Sequence, residues 1–354
     1  MKSRRDLFYD FERTIAFDFC RATEAAALNA TPWLGRGEPE KAEAAAADAV
    51  SGMFDLMNIC GQIGVSTSPE NPDSWVQVGG QLGTWLPGTT HFELAICPLD
   101  GKLNVAKGMP NAISCLAASG QAEGSLAGLA TPPFRLVTKL TYGSNVIRYM
   151  ERKGIDAVDI RQPIGETLVC VARAVNKRVQ DVVVQVMDDP RHDRLIAAIR
   201  EAGATLRLMH DGEIAAAIAP ALPDSEIDLY AGIGGAREAV LTAAAMRCLG
   251  GDQQCMVFSD GQNPLEKTEN TEGESFAGKI FFADDLAPGR NILFCASGIS
   301  DSPLLPGVRI KGNSASTHSV LMRAKSRTVR FIQAHHDLEL KTIRLRSDRR
   351  EHRI

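Results

Sequence analysis

The stretch DVVVQVMDDPRHDRLIAAIREAGATLRLMHDGEIAAAIA, residues 181–219, decides the fold class. Short runs rich in Val, Leu and Met, which are typical of buried strands, alternate in it with longer runs whose apolar residues recur at helical spacing. The next segment, DLYAGIGGAREAVLTAAAMRCL at residues 228–249, repeats this order of strand and helix. The alternation predicts a parallel or mixed sheet covered by helices, and therefore an α/β protein.

The residues before this stretch predict two helices followed by several strands. An amphipathic helix is expected over residues 4–30 and an Ala-rich helix over residues 41–57. Short apolar segments then predict four strands: QIGVS (62–66), WVQVGG (75–80), FELAIC (92–97) and AISCLAA (112–118). Further on, the polar segment 259–275 predicts a surface loop, and the basic tail 344–354 predicts an exposed end.

Composition and charge narrow the classes of partner. The formal net charge of −4 argues against a general nucleic-acid binder. Eight cysteines without a CxxC pair indicate reduced thiols rather than a disulfide framework. The charged N-terminus lacks the apolar core of a signal peptide, and no apolar run reaches the roughly 18 residues of a membrane span. We therefore expect a cytoplasmic protein with neither nucleic acid nor a membrane as its partner.

Polar groups follow several of the predicted strands. Three strand-to-helix junctions, DDPRHD, MHDGE and GIGGARE, place charged residues where α/β proteins bind ligands. Helix N-termini at such junctions offer free N–H groups and a positive dipole, which favour phosphate. Together the three junctions indicate a phosphorylated small molecule as ligand.

A fourth junction, ELAICPLDGK at residues 93–102, combines a thiol, a carboxylate and an ammonium: Cys97, Asp100 and Lys102. These residue types leave three interpretations open, namely a metal site, a nucleophile site, and an active site that has lost its chemistry. A thiolate needs a positive neighbour or a base, for which Lys102, His91 and His192 are candidates. The alternative is that Cys97 is simply a small buried residue.

Several motifs resemble those of the class II fructose-1,6-bisphosphatases. CRATEAAAL and WLGRGE resemble the family's opening, while PRHD, DGE, PDSEIDLYAGIGGAREAV, SGIS, KGN and KSRTVRFIQAHH resemble its C-terminal half, in order and at similar spacing. The family belongs to the inositol-phosphatase-like superfamily of metal-dependent phosphatases, and some of its members also act on sedoheptulose-1,7-bisphosphate. The resemblance implies a layered α-β-α-β-α sandwich with the active site between two subdomains.

The resemblance also implies phosphomonoester hydrolysis in which carboxylates hold Mg²⁺ or Mn²⁺. Three of the family's acidic positions keep an acid and are the expected metal ligands: Glu43, Asp100 and Glu238. Three others have lost it: Thr67, Pro69 and Cys97. Because a thiol is a poor ligand for Mg²⁺, we expect one ion or none, unless Glu70 or Asp73 replaces a missing acid.

The substrate side of the resemblance is better kept. It implies the following sugar-phosphate-binding residues: Arg191, His192, Asp193, Asp211, Gly212, Glu213 and Gly235. Asp100, Gly101 and Lys102 are further expected substrate-binding residues, with Lys102 at a position where the family has Thr. A family Tyr that contacts the sugar phosphate falls on Leu136 in this chain. The expected catalytic residues are Asp100, Lys102 and Cys97, with the Lys102 ammonium replacing part of a metal's charge and holding phosphate.

These expectations define the predicted function. Residues 1–145 form an α+β subdomain with the remnants of the metal site, and residues 146–354 form an α/β subdomain that binds the sugar phosphate. The prediction is a phosphosugar phosphatase with a reduced divalent-metal site, weak or inactive on fructose-1,6-bisphosphate, and assembled as a dimer or tetramer. Two alternatives stay open, a sugar-phosphate isomerase, epimerase or lyase built on the same pocket, and a non-catalytic phosphosugar-binding homologue. Whether the protein is an enzyme is therefore open; if it is, it is a phosphoric monoester hydrolase.

Overall fold

The computed structural model describes residues 11–68, 74–120, 128–132, 134–258, 276 and 278–347, with side chains from residue 15 onward. The helices in these residues are α1 (Phe11–Ala30), α2 (Pro39–Phe54), α3 (Lys102–Lys107), α4 (Ser144–Lys153), α5 (Ile164–Ala174), α6 (Asp193–Glu201), α7 (Glu213–Ile218), α8 (Ala236–Leu249) and α9 (Ala283–Leu286). The strands are β1 (Ile59–Ser66), β2 (Gln81–Leu82), β3 (Thr90–Asp100), β4 (Ile113–Gly120), β5 (Leu136–Tyr142), β6 (Val183–Met187), β7 (Thr205–Met209), β8 (Leu229–Gly235), β9 (Asp252–Val257), β10 (Phe281–Phe282), β11 (Ile292–Gly298), β12 (Arg309–Lys311), β13 (Ser314–Arg323) and β14 (Thr328–Asp337).

The strands form two sheets. The order in the larger sheet is β12-β13-β11-β4-β3-β1-β2, with β14 paired to β13, and the order in the smaller sheet is β10-β9-β5-β8-β6-β7. In the smaller sheet β6 is parallel to both β7 and β8, whereas β5 is antiparallel to β8 and β9. The mixed sheet predicted from the β-α alternation is therefore confirmed. Because the larger sheet joins β1–β4 to β11–β14, a single division of the chain at residue 145 does not separate the two sheets.

Three buried clusters define the layers of the molecule. The first lies between α1, α2 and the larger sheet. The second joins α7 and α8 to residues of both sheets, so these helices lie between the sheets, and the Ala-rich sequence of α8 allows close packing on both sides. The third packs α4, α5 and α6 against the smaller sheet. The order of helices, sheet, helices, sheet and helices confirms the predicted α-β-α-β-α sandwich.

Some sequence-based expectations need correction. Residues 75–80 form turns rather than the predicted strand, because the N–H of Gly80 bonds back to the carbonyl of Gln77 and closes the chain on itself. The N-terminal helix is confirmed from Phe11, while residues 4–10 and the predicted loop 259–275 lie outside the described residues. Within the described part of the chain, no helix has the length and apolarity needed to cross a membrane.

The predicted exposed end is wrong for the part of the tail that the structure describes. The backbone N–H groups of Arg346 and Ser347 donate to Asp48 Oδ1 at 2.6 and 2.9 Å. Ile343 and Leu345 pack against the cluster between α1, α2 and the larger sheet. A basic, polar run suggested a solvated end, but its alternate apolar residues and free N–H groups find partners on α2.

Candidate functional site

The end of β3 meets the start of α7, although these segments are far apart in the sequence. Asp100 Oδ2 accepts hydrogen bonds from the backbone N–H groups of Ile214 and Ala215, at 2.8 and 3.4 Å. The chain turns at Gly101, whose φ is +84° and whose added Cβ would lie 2.3 Å from the carbonyl oxygen of Asn111. Glycine is required at this left-handed and crowded position, so the PLDG motif fixes the turn after β3.

Two asparagines that the sequence analysis did not single out fasten this turn to the DGE turn before α7. The Asn111 amide donates to the carbonyl oxygens of Asp211 and Gly212, at 2.6 and 2.8 Å. Asn104 donates to the Asp211 carbonyl at 3.0 Å, and Asp211 Oδ2 accepts from the N–H of Leu103 at 2.9 Å. The available signal was Asn111 in the turn GMPNA, since Asn tolerates the positive φ, here 77°, better than most residues.

The carboxylates of Glu213 and Glu238 lie over a glycine pair at the end of β8. A Cβ added to Gly234 would lie 1.9 Å from Glu213 Oε1, and one added to Gly235 would lie 1.8 Å from Glu238 Oε2. The N–H of Gly235 donates to Glu213 Oε2 at 3.1 Å. The glycines of the GIGGARE motif therefore leave room for both carboxylates, and the Gly235 N–H donates a hydrogen bond to Glu213. Leu136 on β5 is the register partner of Gly235.

A buried lysine binds one of these acids, Glu213, and the sequence analysis did not identify it as a site residue. Lys139 Nζ forms an ion pair with Glu213 Oε1, and its side chain has no exposed surface. Burial opposes the charge of Lys139, but the charge and hydrogen bond of Glu213 prevail and raise its pKa, with Glu238 adding to the effect. A single lysine inside an apolar strand sequence carries no signal that it will face a carboxylate.

Like charges surround Asp100. Burial raises the pKa of the Asp100 carboxyl, and the charges of Asp211, Glu213 and Glu238 raise it further. Burial and the charge of Glu213 likewise raise the pKa of Glu238. The structure thus brings the PLDG, DGE and GGARE motifs into one acidic neighbourhood.

The expected metal ligand Glu43 is bound by a cation of the chain itself. Lys102 Nζ donates to Glu43 Oε2 at 2.9 Å, with 35% of the Lys102 side chain exposed. Burial lowers the pKa of Lys102, but the hydrogen bond and the negative charge of Glu43 outweigh this effect, so the pKa of Lys102 is raised. The Lys102 ammonium therefore lies beside α2, and Lys102 follows Asp100 by two residues in the sequence.

The surroundings of Cys97 do not favour a nucleophile. The residue is 2% exposed, and Cys115 lies directly opposite it in the pairing of β3 with β4. A hydrogen bond with Cys115, burial and the negative charge of Asp100 raise the pKa of the Cys97 thiol well above its usual value. The thiol form is therefore favoured, in agreement with a small buried residue rather than a thiolate.

The PRHD segment is held by its own hydrogen bonds. Arg191 Nε and Nη2 donate to the two carboxylate oxygens of Asp189 at 2.9 and 3.1 Å. His192 is fully buried, burial lowers its pKa, and its Nε2 accepts the N–H of Ile233 at 2.7 Å. His192 therefore supports the end of β8 through its Nε2, and Asp193 is exposed at the start of α6. A ligand role for these two residues stays a prediction.

Three acids of the site, Glu43, Asp100 and Glu213, are partnered by other groups of the described chain. No group of three His, Cys, Asp or Glu residues in this part of the chain is arranged to hold a metal ion. Lys102 forms an ion pair with Glu43, and Lys139 forms one with Glu213. One oxygen of Asp100 accepts hydrogen bonds from two backbone N–H groups. A hard cation needs several free oxygens. Thr67 bonds the carbonyl of Ile96 through its N–H, whereas Pro69, Glu70 and Asp73 lie outside the described residues.

Comparisons with known proteins point to one family. The family described as "Bacterial fructose-1,6-bisphosphatase, glpX-encoded" matches residues 13–336. The chain is 37% identical over 338 residues to a class 2 fructose-1,6-bisphosphatase of Haemophilus influenzae, and the match covers 92% of this chain and 97% of that protein. It is 34% identical over 340 residues to fructose-1,6-bisphosphatase 1 class 2 of Escherichia coli K12, covering 93% and 97% of the two chains.

Proposed function

Because the chain belongs to the family of bacterial, glpX-encoded fructose-1,6-bisphosphatases, we infer that it binds a sugar phosphate beside the joined turns at residues 100–102 and 211–213. The relatives are named as phosphatases, which supports a hydrolase acting on a phosphosugar. Membership of this family also supports a divalent metal as cofactor in general terms. The finer proposal is that the protein retains phosphosugar binding while its catalysis is impaired. Hydrolysis of fructose-1,6-bisphosphate is then weak or absent.

The ion pair between Lys102 and Glu43 is the observation that carries this proposal. An ammonium has three N–H donors, and Glu43 uses one of them at 2.9 Å. The remaining donors can bind a phosphate oxygen as a point charge. The same ion pair engages Oε2 of Glu43, an oxygen that a metal ion would need as a ligand. It therefore favours an anion over a multi-ion cluster, and at most one divalent ion, weakly bound, is the cofactor we propose.

The other described residues of the site orient the turns. Asp100 accepts a hydrogen bond from an N–H group in the first turn of α7, and Asp211 accepts one from the N–H of Leu103. Glu213 accepts a hydrogen bond from the N–H of Gly235 and forms an ion pair with Lys139. Cys97 and His192, two of the non-carboxylate candidates for nucleophilic attack or proton transfer, are buried, and His192 Nε2 accepts a backbone N–H. Neither compensates for a lost acid, which is why we propose that hydrolysis is slow.

A non-catalytic phosphosugar-binding homologue is the second candidate. It is favoured by the same ion pairs, because they neutralise Glu43 and Glu213 without a metal. A binder and a slow phosphatase share the ligand and differ in phosphate release alone. An isomerase, epimerase or lyase would instead convert the sugar phosphate without releasing phosphate.

Two measurements on the full chain test the proposal. Isothermal titration with fructose-1,6-bisphosphate, fructose 6-phosphate and fructose 1-phosphate should detect binding of at least one phosphosugar. Titration with Mg²⁺ and Mn²⁺ should show no more than a single weak site. Phosphate release is then assayed with each ion, and sugar products are followed by chromatography.

The outcomes separate the candidates. Slow phosphate release supports the phosphatase, and binding without any conversion supports the homologue. Conversion without phosphate release favours the isomerase class. Brisk metal-dependent hydrolysis of fructose-1,6-bisphosphate, or two tight metal sites, would contradict the proposal and would direct attention to Glu70 and Asp73.

A homo-oligomer in the cytoplasm is proposed as the state of the protein. The expectation of a dimer or tetramer is tested by light scattering coupled to size-exclusion chromatography. Elution as a monomer over the working concentration range would remove it. Fractionation of cells that express the chain tests the location.

A further inference from the structure

The chain after β14 lies outside the residues that the family comparison matches. The family match ends at residue 336, and β14 ends at Asp337. Residues 343–347, here called the strap, nevertheless lie against the body of the protein. Ile343 and Leu345 of the strap pack against the cluster between α1, α2 and the larger sheet. The strap is therefore a docked element that the family match does not include.

One face of α2 receives the strap. Asp48, Gly52 and Asp55 follow one another at spacings of four and three residues, so they lie on the same side of this helix and its end. Asp48 Oδ1 accepts hydrogen bonds from the N–H groups of Arg346 and Ser347 at 2.6 and 2.9 Å, and Oδ2 accepts one from the Ser347 hydroxyl. The guanidinium of Arg346 lies 3.6 Å from Asp55 Oδ1. The same face thus binds both the backbone and the side chains of the strap.

Gly52 allows the strap to approach the helix this closely. A Cβ added to Gly52 would lie 2.0 Å from the carbonyl oxygen of Arg344 and 2.9 Å from the backbone nitrogen of Arg346. Glycine is less favourable than alanine in the interior of a helix. Its presence in α2 is explained by the strap backbone, which leaves no space for a side chain.

The strap also reaches the segment that follows β1. The guanidinium of Arg346 lies 5.7 Å from the centre of the Trp75 ring, within the range of a cation–π contact. The carbonyl of the next residue, Val76, accepts a hydrogen bond from the hydroxyl of Ser66 at the end of β1. Arg346 therefore connects α2 to the segment that is fastened to β1.

Both of these elements border the candidate site. Glu43 precedes Asp48 by five residues on α2 and binds Lys102 at 2.9 Å. At the end of β1, the N–H of Thr67 donates to the carbonyl of Ile96 on β3, the strand that leads into the Lys102 turn. A continuous set of contacts thus runs from the strap to the Lys102 turn along two routes, one through α2 and one through β1.

We propose, on the basis of the function inferred above, that the strap positions α2 and the end of β1 for phosphosugar binding at the joined turns. Asp48 and Gly52 are then positioning residues, which act on the ligand through the strap and α2. A ligand that binds better when the strap is docked also favours docking of the strap, by the same factor, because coupling between two equilibria is reciprocal.

Limited trypsin digestion of the full chain, followed by mass spectrometry, measures strap release as cleavage after Arg344 and Arg346. Cleavage should be slow in the wild type, because a protease cuts backbone that has left its partners. Asp48→Ala removes the acceptors, and Gly52→Ala places a methyl group where the strap lies. Alanine favours a helix, so α2 should persist in both variants. Each variant should be cleaved at least about tenfold faster at these two positions.

Two matched controls make the same substitutions on other helices. Asp18→Ala removes an acid from α1, where Asp18 pairs with Arg21 at 3.4 Å. Gly165→Ala adds a methyl group to α5, where the new Cβ would lie 3.9 Å from that of Ala202, an ordinary contact. Both controls should be cleaved after the strap arginines at the wild-type rate.

Isothermal titration with fructose-1,6-bisphosphate, fructose 6-phosphate and fructose 1-phosphate measures the coupling. The affinity for the phosphosugar that the wild type binds should fall about fivefold in Asp48→Ala and Gly52→Ala, and it should be unchanged in the controls. Asp48→Asn keeps one acceptor oxygen and should recover part of the affinity. In the wild type, the saturating ligand should slow strap cleavage about fivefold, which a merely structural contact would not do.

The outcomes distinguish the strap from the proposed function. Cleavage of both strap variants at the wild-type rate would show that α2 does not hold the strap, and it would overturn the inference. Faster cleavage with unchanged phosphosugar affinity, or without protection by the ligand, would also overturn it and would leave the proposed function standing. Absence of binding by all three ligands in the wild type would overturn the proposed function and the inference with it.

Discussion

The protein uses one kind of ion pair, lysine with glutamate, in two different environments. Lys102 binds Glu43 at 2.9 Å with 35% of its side chain exposed, whereas Lys139 binds Glu213 with none of its side chain exposed. A partly exposed pair is hydrated and contributes little to stability. A buried pair has lost its water, so each charge depends on its partner.

The comparison indicates two different roles. Lys139 is part of the framework that holds the Glu213 side chain between the sheets. Lys102 lies at the edge of the site, where ligand, solvent and Glu43 compete for its N–H groups. Substitutions that break each pair should therefore separate stability from ligand binding.

The largest effect should come from breaking the buried pair. Lys139→Met leaves the Glu213 carboxylate buried without its cation, and we expect the free energy of unfolding to fall by about 3–5 kcal/mol. Guanidinium chloride denaturation followed by circular dichroism measures the change. The double variant Lys139→Met/Glu213→Gln should recover part of the loss, because it removes the unpaired charge. A Lys139→Met variant as stable as the wild type would break the comparison.

A smaller effect should follow from removing the neutral hydrogen bonds that join the two turns. Asn111→Ala removes the donor to the carbonyls of Asp211 and Gly212. The exposed Asn176, with a positive φ of 57°, provides the control. We expect Asn111→Ala to lose about 2 kcal/mol more unfolding free energy than Asn176→Ala. Equal losses in urea denaturation would mean that the backbone conformation of Asn111, and not its amide, matters.

Breaking the exposed pair should affect ligand binding more than folding. Lys102→Thr removes the ammonium that pairs with Glu43, and it should change the unfolding free energy by less than about 1 kcal/mol. Phosphosugar affinity should fall roughly tenfold, without any gain in hydrolysis, because the missing acids are not restored. Lys41→Thr is the control, since Lys41 in the first turn of α2 pairs with the exposed Glu38 at 3.0 Å. Equal affinities of the two variants would count against a ligand role for Lys102.

The smallest effect extends the comparison to Glu24, a buried carboxyl between α1 and the larger sheet. Burial raises its pKa above the usual 4.5, although Lys341, Arg21 and a hydrogen bond with Ser319 oppose the shift. The folded state therefore holds this proton more tightly than the unfolded state. The stability it contributes is complete below pH 4.5 and is lost as pH rises through the pKa of the folded state.

Glu24→Gln should remove this pH dependence. Urea denaturation at pH 4.5 and pH 7 should show a smaller decrease in unfolding free energy for the variant than for the wild type. An identical decrease in both proteins would show that Glu24 is not the group responsible.

Much of the fold could be predicted from periodicity. The alternation at residues 181–249 correctly predicted the mixed sheet and its helices. Apolar residues recur at a different spacing in a helix than in a strand, and burial of one or both faces makes that spacing visible in the sequence. Residues 75–80 misled the prediction because their apolar alternation ends in two glycines, and the hydrogen bond from Gly80 to Gln77 turned the chain instead. The tail near Ser347 was misjudged because its partner, Asp48, is remote in the sequence.

The sequence by itself determined the family, the five-layer architecture, and the PLDG, DGE and GGARE turns, since each depends on local spacing or on residue types that only certain backbones accept. The tertiary structure alone decided which charges meet. Lys139 with Glu213, Lys102 with Glu43, and Asn111 with Asp211 join residues between 59 and 100 positions apart. Their interaction depends on distance in space and on exclusion of water, and neither quantity is written in the order of the residues.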